Sequence, residues 1–220
     1  MTLGPRLQRL LEIGSAPFGP PLTADDALAA LDACGTPFAA GSALRHELAE
    51  MLAAKNGWLA FESALNVFGI GAANGDLRTR NAPDGWRAAY GASAEGMLFF
   101  AEDLFGAPFA LGERGVIAFD PETGESEQRA PTLEMWAQRI LGAYDELTGH
   151  TLAHEWQVRN GALPVGMRLV PEVPFVLGGA FEASNLRARE PAAYLRERAR
   201  LAAHIAGLAD GAQIVWPLAP

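Results

Sequence analysis

Two neighbouring carboxylates, Glu102 and Asp103, stand inside the apolar run "GMLFFAEDLFGAPFAL" at residues 96 to 111. Paired carboxylates do acid–base chemistry when burial or mutual repulsion pushes their ionisation apart. Adjacent residues on an extended strand leave opposite faces, a poor geometry for sharing a proton. The run therefore reads as strand, turn and strand, with "MLFFA" and "PFAL" around "EDLFGA" and Asp103 free to cap backbone amides at a glycine-containing bend. Both acids are expected at that bend, in reach of solvent or a partner.

His150 and His154, in "HTLAHEW", have the spacing that puts two imidazoles on one helix face, a geometry zinc enzymes use. Both HExxH and HxxEH need a glutamate where Thr151 or Ala153 stands, and no third ligand is recognisable. Capping or packing under Trp156 is expected for the pair, and no metal. "GIGAANG" at 69 to 75 has neither the lysine of a phosphate loop nor the glycine spacing of a dinucleotide site, and no G-x-S-x-G elbow occurs. Cys34 is the sole cysteine; it has no local base and can form no intramolecular disulfide. The chemistry-bearing residues thus assemble into no recognisable catalytic set and call for no cofactor.

The elements that must position these residues follow from periodicity and punctuation. Thr23 as N-cap and acids in the first turn predict a helix over 24–33, and Leu44, Leu48, Met51 and Leu52 predict one over 42–55, ended by Asn56-Gly57. "WLAFESALNVFGIG" fits strand or short helix equally. The segment 74–95 is rich in turn residues, with Trp86 and Tyr90 as anchors. "GVIAF" running into "DPETGES" adds to the strands at 96–111 and predicts an antiparallel meander. A helix is expected from Pro131 through "PTLEMWAQRILGAYDELTG" and another in "TLAHEWQVRNG". An extended, proline-rich crossing follows, then the helix "EPAAYLRERARLAAHIAGL" with Arg198 off its apolar stripe, and a closing strand "AQIVWPL". Trp58, Phe61, Trp136, Trp156 and Phe175 are expected to pack.

Half of the 220 residues are hydrophobic and a fifth are charged, the composition of a folded soluble chain. The sequence contains no apolar run long enough to span a membrane and no signal peptide, so cytoplasmic residence is expected. The net charge of −9 is concentrated in residues 1 to 130, with 17 acidic against 9 basic side chains. Such a field disfavours direct nucleic-acid binding and attracts a cationic protein.

Several stretches in order resemble the SUKH superfamily of SMI/KNR-like proteins: "AAKNGWLAFESALNVFG", "LFFAEDLFGAPFAL", "VIAFDPETGE" and "PTLEMWAQRIL". "HEWQVRNGALPVGMRLVPEVPFVLGGAFEASNL" is similar to the C-terminal extension of a longer subgroup. The resemblance covers roughly residues 40 to 216. It implies one α+β domain over 1–220, a curved, mainly antiparallel sheet flanked by helices, with a core of about 24–147 and a helical and extended addition over about 148–220. It also implies a non-enzymatic immunity protein that binds and neutralises a cognate bacterial toxin, one that could be basic or nuclease-like. The alternative is a cytoplasmic scaffold or regulatory interaction module. The candidate partner contacts are Glu102, Asp103, Phe105, Asp120 and Glu122.

Overall fold

In the computed structural model, which describes residues 3–35, 42–73, 75–209 and 212–216, Thr23 opens a helix with a reciprocal capping box to Asp26. This helix, α2 (Ala24–Ala33), and α3 (Ala43–Ala54) pack side by side and follow the expected spacing. A helix the periodicity had not singled out, α1 (Pro5–Ile13), precedes them, and its Leu7 and Leu10 are buried. Its first amides, Arg6 N and Leu7 N, donate to Glu134, which supplies the negative charge a helix N-terminus favours.

Six strands form one antiparallel sheet in sequence order: β1 (Trp58–Ala60), β2 (Leu65–Val67), β3 (Leu98–Glu102), β4 (Pro108–Gly112), β5 (Gly115–Phe119) and β6 (Ser126–Ala130). The ambiguous stretch after Gly57 is therefore a hairpin. Its turn is unusual, since Phe61, Glu62 and Ser63 all have positive φ (52°, 52° and 71°) without a glycine among them. Register shifts interrupt the ladder between Phe99 and Ala101 and between Val116 and Ile117, which adds local twist.

Both faces of the sheet are covered. On one, Phe99 and Phe119 meet Trp86 and Tyr90 from a 3₁₀ segment, Trp86–Ala94, in a set of edge-on aromatic contacts. On the other, Trp136 of α5 (Leu133–Gly142) packs against Phe100 and Phe109. The expected single helix from Pro131 breaks at Ala143 (φ −142°), and α6 (Tyr144–Thr148) starts afresh. Tyr144 is 41% exposed and stacks on Phe61.

Beyond α6 come α7 (His150–Asn160), a two-stranded sheet of β7 (Arg168–Pro171) and β8 (Leu186–Arg189), and α8 (Pro191–Ala206). Val170, Tyr194, Leu195 and Ala199 join the main core, while Leu104, Ala153, Leu163, Leu169 and Leu186 form a smaller one with Ala64. The expected closing strand is absent over 212–216. Val215 is 83% exposed, and Trp216 is held by its side chain, which donates to Glu172 O; residues 217 and 218 lie outside the described residues. Arg198, expected off the apolar stripe of α8, is buried. Its guanidinium donates to Pro171 O at 2.6 Å and lies over the rings of Tyr194 and Trp216, a setting that satisfies it away from water. The chain is α+β, and among the described residues no helix is long and apolar enough to cross a membrane.

Candidate functional site

Strand alternation and the ladder register bring Phe109, Ala118 and Glu127 into one row across β4, β5 and β6. Ala118 is too small to fill the space above the row, and Trp136 of α5 meets its Phe109 end. A groove of about 750 Å³ remains over this part of the sheet. Its far wall belongs to α6 and to the C-terminal addition, through Leu147, Phe175, Val176, Phe181 and Tyr194. A second hollow of about 400 Å³ continues it towards Trp136 and Arg139 and shares Phe109, Arg129, Glu146 and Leu147 with it.

Six carboxylates line the larger groove: Asp103, Asp120, Glu122, Glu125, Glu127 and Glu146. Among the described residues Arg129 is its one cationic lining residue, and that guanidinium already donates to Glu127 at 3.1 Å. Beside the carboxylates sits an aromatic cluster. Phe175 stacks on Phe181 at 3.9 Å, and Phe105 meets both edge-on. Phe181 is 65% exposed, high for a large apolar side chain in such a cluster.

Of the five sequence-nominated residues, the groove collects Asp103, Phe105, Asp120 and Glu122, and Glu102 is not among its lining. Glu102 does not meet solvent: it is the last residue of β3 and 1% exposed. Alternation turns its side chain inward, where Oε1 accepts from Asn66 at 2.9 Å and Arg80 at 3.2 Å and lies 3.3 Å from Arg168 Nε. Those partners come from β2, α4 (Leu77–Arg80) and β7, so no neighbour in sequence announced them.

Asp103 caps the bend as expected, its Oδ1 accepting from the amides of Phe105 (2.9 Å) and Ala107 (2.8 Å). Burial outweighs those two donors and pushes its carboxyl up to about 7. Between about pH 4 and 7 the folded state therefore holds a proton that the unfolded chain has released, and stability falls as pH rises through that window. Asp103→Asn keeps an acceptor for both amides and removes the buried charge. It is expected to stabilise the protein at pH 8 by on the order of 2–4 kcal/mol, with the two proteins converging near pH 4 in urea melts.

Glu122 is 5% exposed; Oε2 accepts from Val176 N at 2.8 Å, and Oε1 lies 3.6 Å from Arg198 Nε and accepts no hydrogen bond. Burial pushes its carboxyl up as well. Asp120 is exposed and turns the β5–β6 connection by accepting from Glu122 N. Sequence reasoning missed Phe181, Tyr194, Glu125, Glu127 and Glu146. The acids of "GESEQR" on an edge strand were the available signal, whereas the aromatic wall depends on how the addition folds back.

The two histidines do not pack under Trp156 but face Glu62. His154 Nδ1 lies 2.9 Å from Oε2 and His150 Nε2 lies 3.7 Å from Oε1. Chiefly through the His154 hydrogen bond, the Glu62 carboxyl is held below its ordinary range. The trio braces the left-handed turn against α7, and among the described residues no group of three or more His, Cys, Asp or Glu side chains is placed to hold a metal ion. Burial pushes the Cys34 thiol up to about 11, away from a reactive thiolate.

No family model matches the chain, and no curated protein matches it. Among solved structures, the crystal structure of Atu4351 from Agrobacterium tumefaciens is similar, with a TM-score of 0.53 and 11% identity over 86% of each chain. At that identity the likeness is one of fold alone, an α+β arrangement shared over most of both chains.

Proposed function

We propose that this chain is a non-enzymatic binding protein that neutralises a bacterial toxin by taking a cationic part of it into the groove over β4, β5 and β6. The observation that carries the reading is the lining of that groove: six carboxylates against one arginine, beside a partly exposed cluster of phenylalanines. Carboxylates of this kind accelerate encounter with a basic protein, while exposed aromatics supply the desolvated anchors on which tight complexes rest. A toxin that acts on nucleic acid needs a basic substrate surface, and an acidic groove is complementary to one. The resemblance to SMI/KNR-like immunity proteins points the same way. No histidine, cysteine or lysine lines the groove among the described residues.

Co-expression with any toxin that a neighbouring gene encodes, followed by purification through a tag on this chain, tests the proposal. The expected result is a one-to-one complex and restored growth of cells that the toxin alone kills. Recovery of a resident complex with no toxic component would replace the reading with a scaffold.

A further inference from the structure

Resting on that reading of the groove, we infer that its inner end is a socket for a single guanidinium: an arginine side chain of the partner lies along Phe181 and Phe105 and meets the carboxylate of Asp103. Four features of this end fit such an occupant. Phe181 is stacked on Phe175 at 3.9 Å and an interplanar angle of 6°, yet stays 65% exposed, so the pair offers a flat apolar surface to a planar group. Glu122 is almost wholly buried beside the groove, with one oxygen bound to Val176 N and the other 3.6 Å from Arg198 Nε, so this end already holds one guanidinium against a carboxylate. Asp103 has one oxygen held by two amides, which fixes the direction of its carboxylate. Tyr194, 1% exposed, lines the same groove as both carboxylates.

A guanidinium suits this end better than an ammonium. It stacks on aromatic faces, carries little hydration to lose, and presents paired donors to carboxylates. The protein uses the same combination internally: Arg198 lies 4.8 Å over Tyr194 and 3.6 Å from Glu122 Oε1. Binding also has a pH signature. Asp103 follows Glu102 at the end of β3 and is within electrostatic reach of Arg168 from β7 and Tyr194 from α8, and burial leaves it protonated below about pH 7. A cation that needs its charge binds more weakly as pH falls from 8 to 6.

The test is an NMR titration of the ¹⁵N-labelled full chain with the blocked tripeptide acetyl-Gly-Arg-Gly-amide and its citrulline and lysine counterparts. Saturable shifts are expected at the amides of Phe105, Ala107 and Val176, with a Kd of about 1 mM for the arginine peptide. The citrulline peptide should bind at least roughly tenfold more weakly and the lysine peptide several-fold more weakly. Phe181→Ala and Asp103→Asn should each weaken binding by about fivefold or more, and Glu113→Gln, an exposed acid outside the groove lining, should leave it unchanged. Equal binding of the arginine and citrulline peptides, or shifts scattered over the acidic surface without saturation, would overturn the socket. A toxin that still binds the groove of Phe181→Ala undiminished would sink the socket and leave the proposed function standing. An arginine peptide that binds while no toxin is neutralised would do the reverse.

Discussion

Glu102→Leu is expected to cost about 3–5 kcal/mol, a large part of the 5–15 kcal/mol that holds a typical domain together. The carboxylate neutralises two buried guanidiniums, Arg80 and Arg168, whose side chains are 10% and 2% exposed. Removing it strands both inside the protein, where neither water nor another acid replaces it at the same distance. Three segments meet there, so the loss falls on β2, on α4 and on β7 together. The measurement is the urea midpoint of the variant against the parent, at pH 7. Replacing Arg80 by methionine in the Glu102→Leu background should recover part of the loss, because it removes one unpaired charge, while Arg168 is kept for its hydrogen bond to Ser63 O. A single variant that melts within a few degrees of the parent would show that the network contributes little.

Reversing the charge of the three exposed groove acids, Asp120→Lys, Glu125→Lys and Glu127→Lys, is expected to slow association with a cationic partner by roughly a hundredfold at low salt. All three side chains are solvent-exposed, and the Asp120 change gives up the turn hydrogen bond from Glu122 N. The difference should shrink as salt shortens the reach of the field to within about 10 Å at 0.1 M. Stopped-flow or biosensor association rates at several ionic strengths read it directly. Unchanged rates at every ionic strength would remove the groove from the binding surface. Dissociation should change less, since exposed carboxylates steer encounter and the aromatic cluster holds the complex.

Much of the scaffold was legible because its signals are local. The Thr23 cap, the leucine spacing of α3 and the turn residues of "DPETGES" each depend on a few neighbours, and each element stands where those residues put it. The features that escaped are those set by distant partners. A hairpin turn made of Phe61, Glu62 and Ser63 carries no Gly or Asn to announce it. The inward course of Glu102 depends on Arg80 and Arg168, and the break at Ala143 accompanies the stacking of Tyr144 on Phe61. The groove was half readable: the acids of its strands and turns are visible in sequence, while Phe181 and Tyr194 reach it only after the addition folds back.

The left-handed turn at Phe61–Ser63 also bears on the order in which the molecule can be made. Three consecutive non-glycine residues in that conformation cost of order 1–3 kcal/mol each. The groups that offset this are Gln157, which donates to Glu62 O, His154 on the Glu62 carboxylate, and Arg168, which donates to Ser63 O. Every one of them is translated about a hundred residues later. During synthesis the β1–β2 edge of the sheet therefore waits, unfinished, until the last third of the chain has left the ribosome and docked.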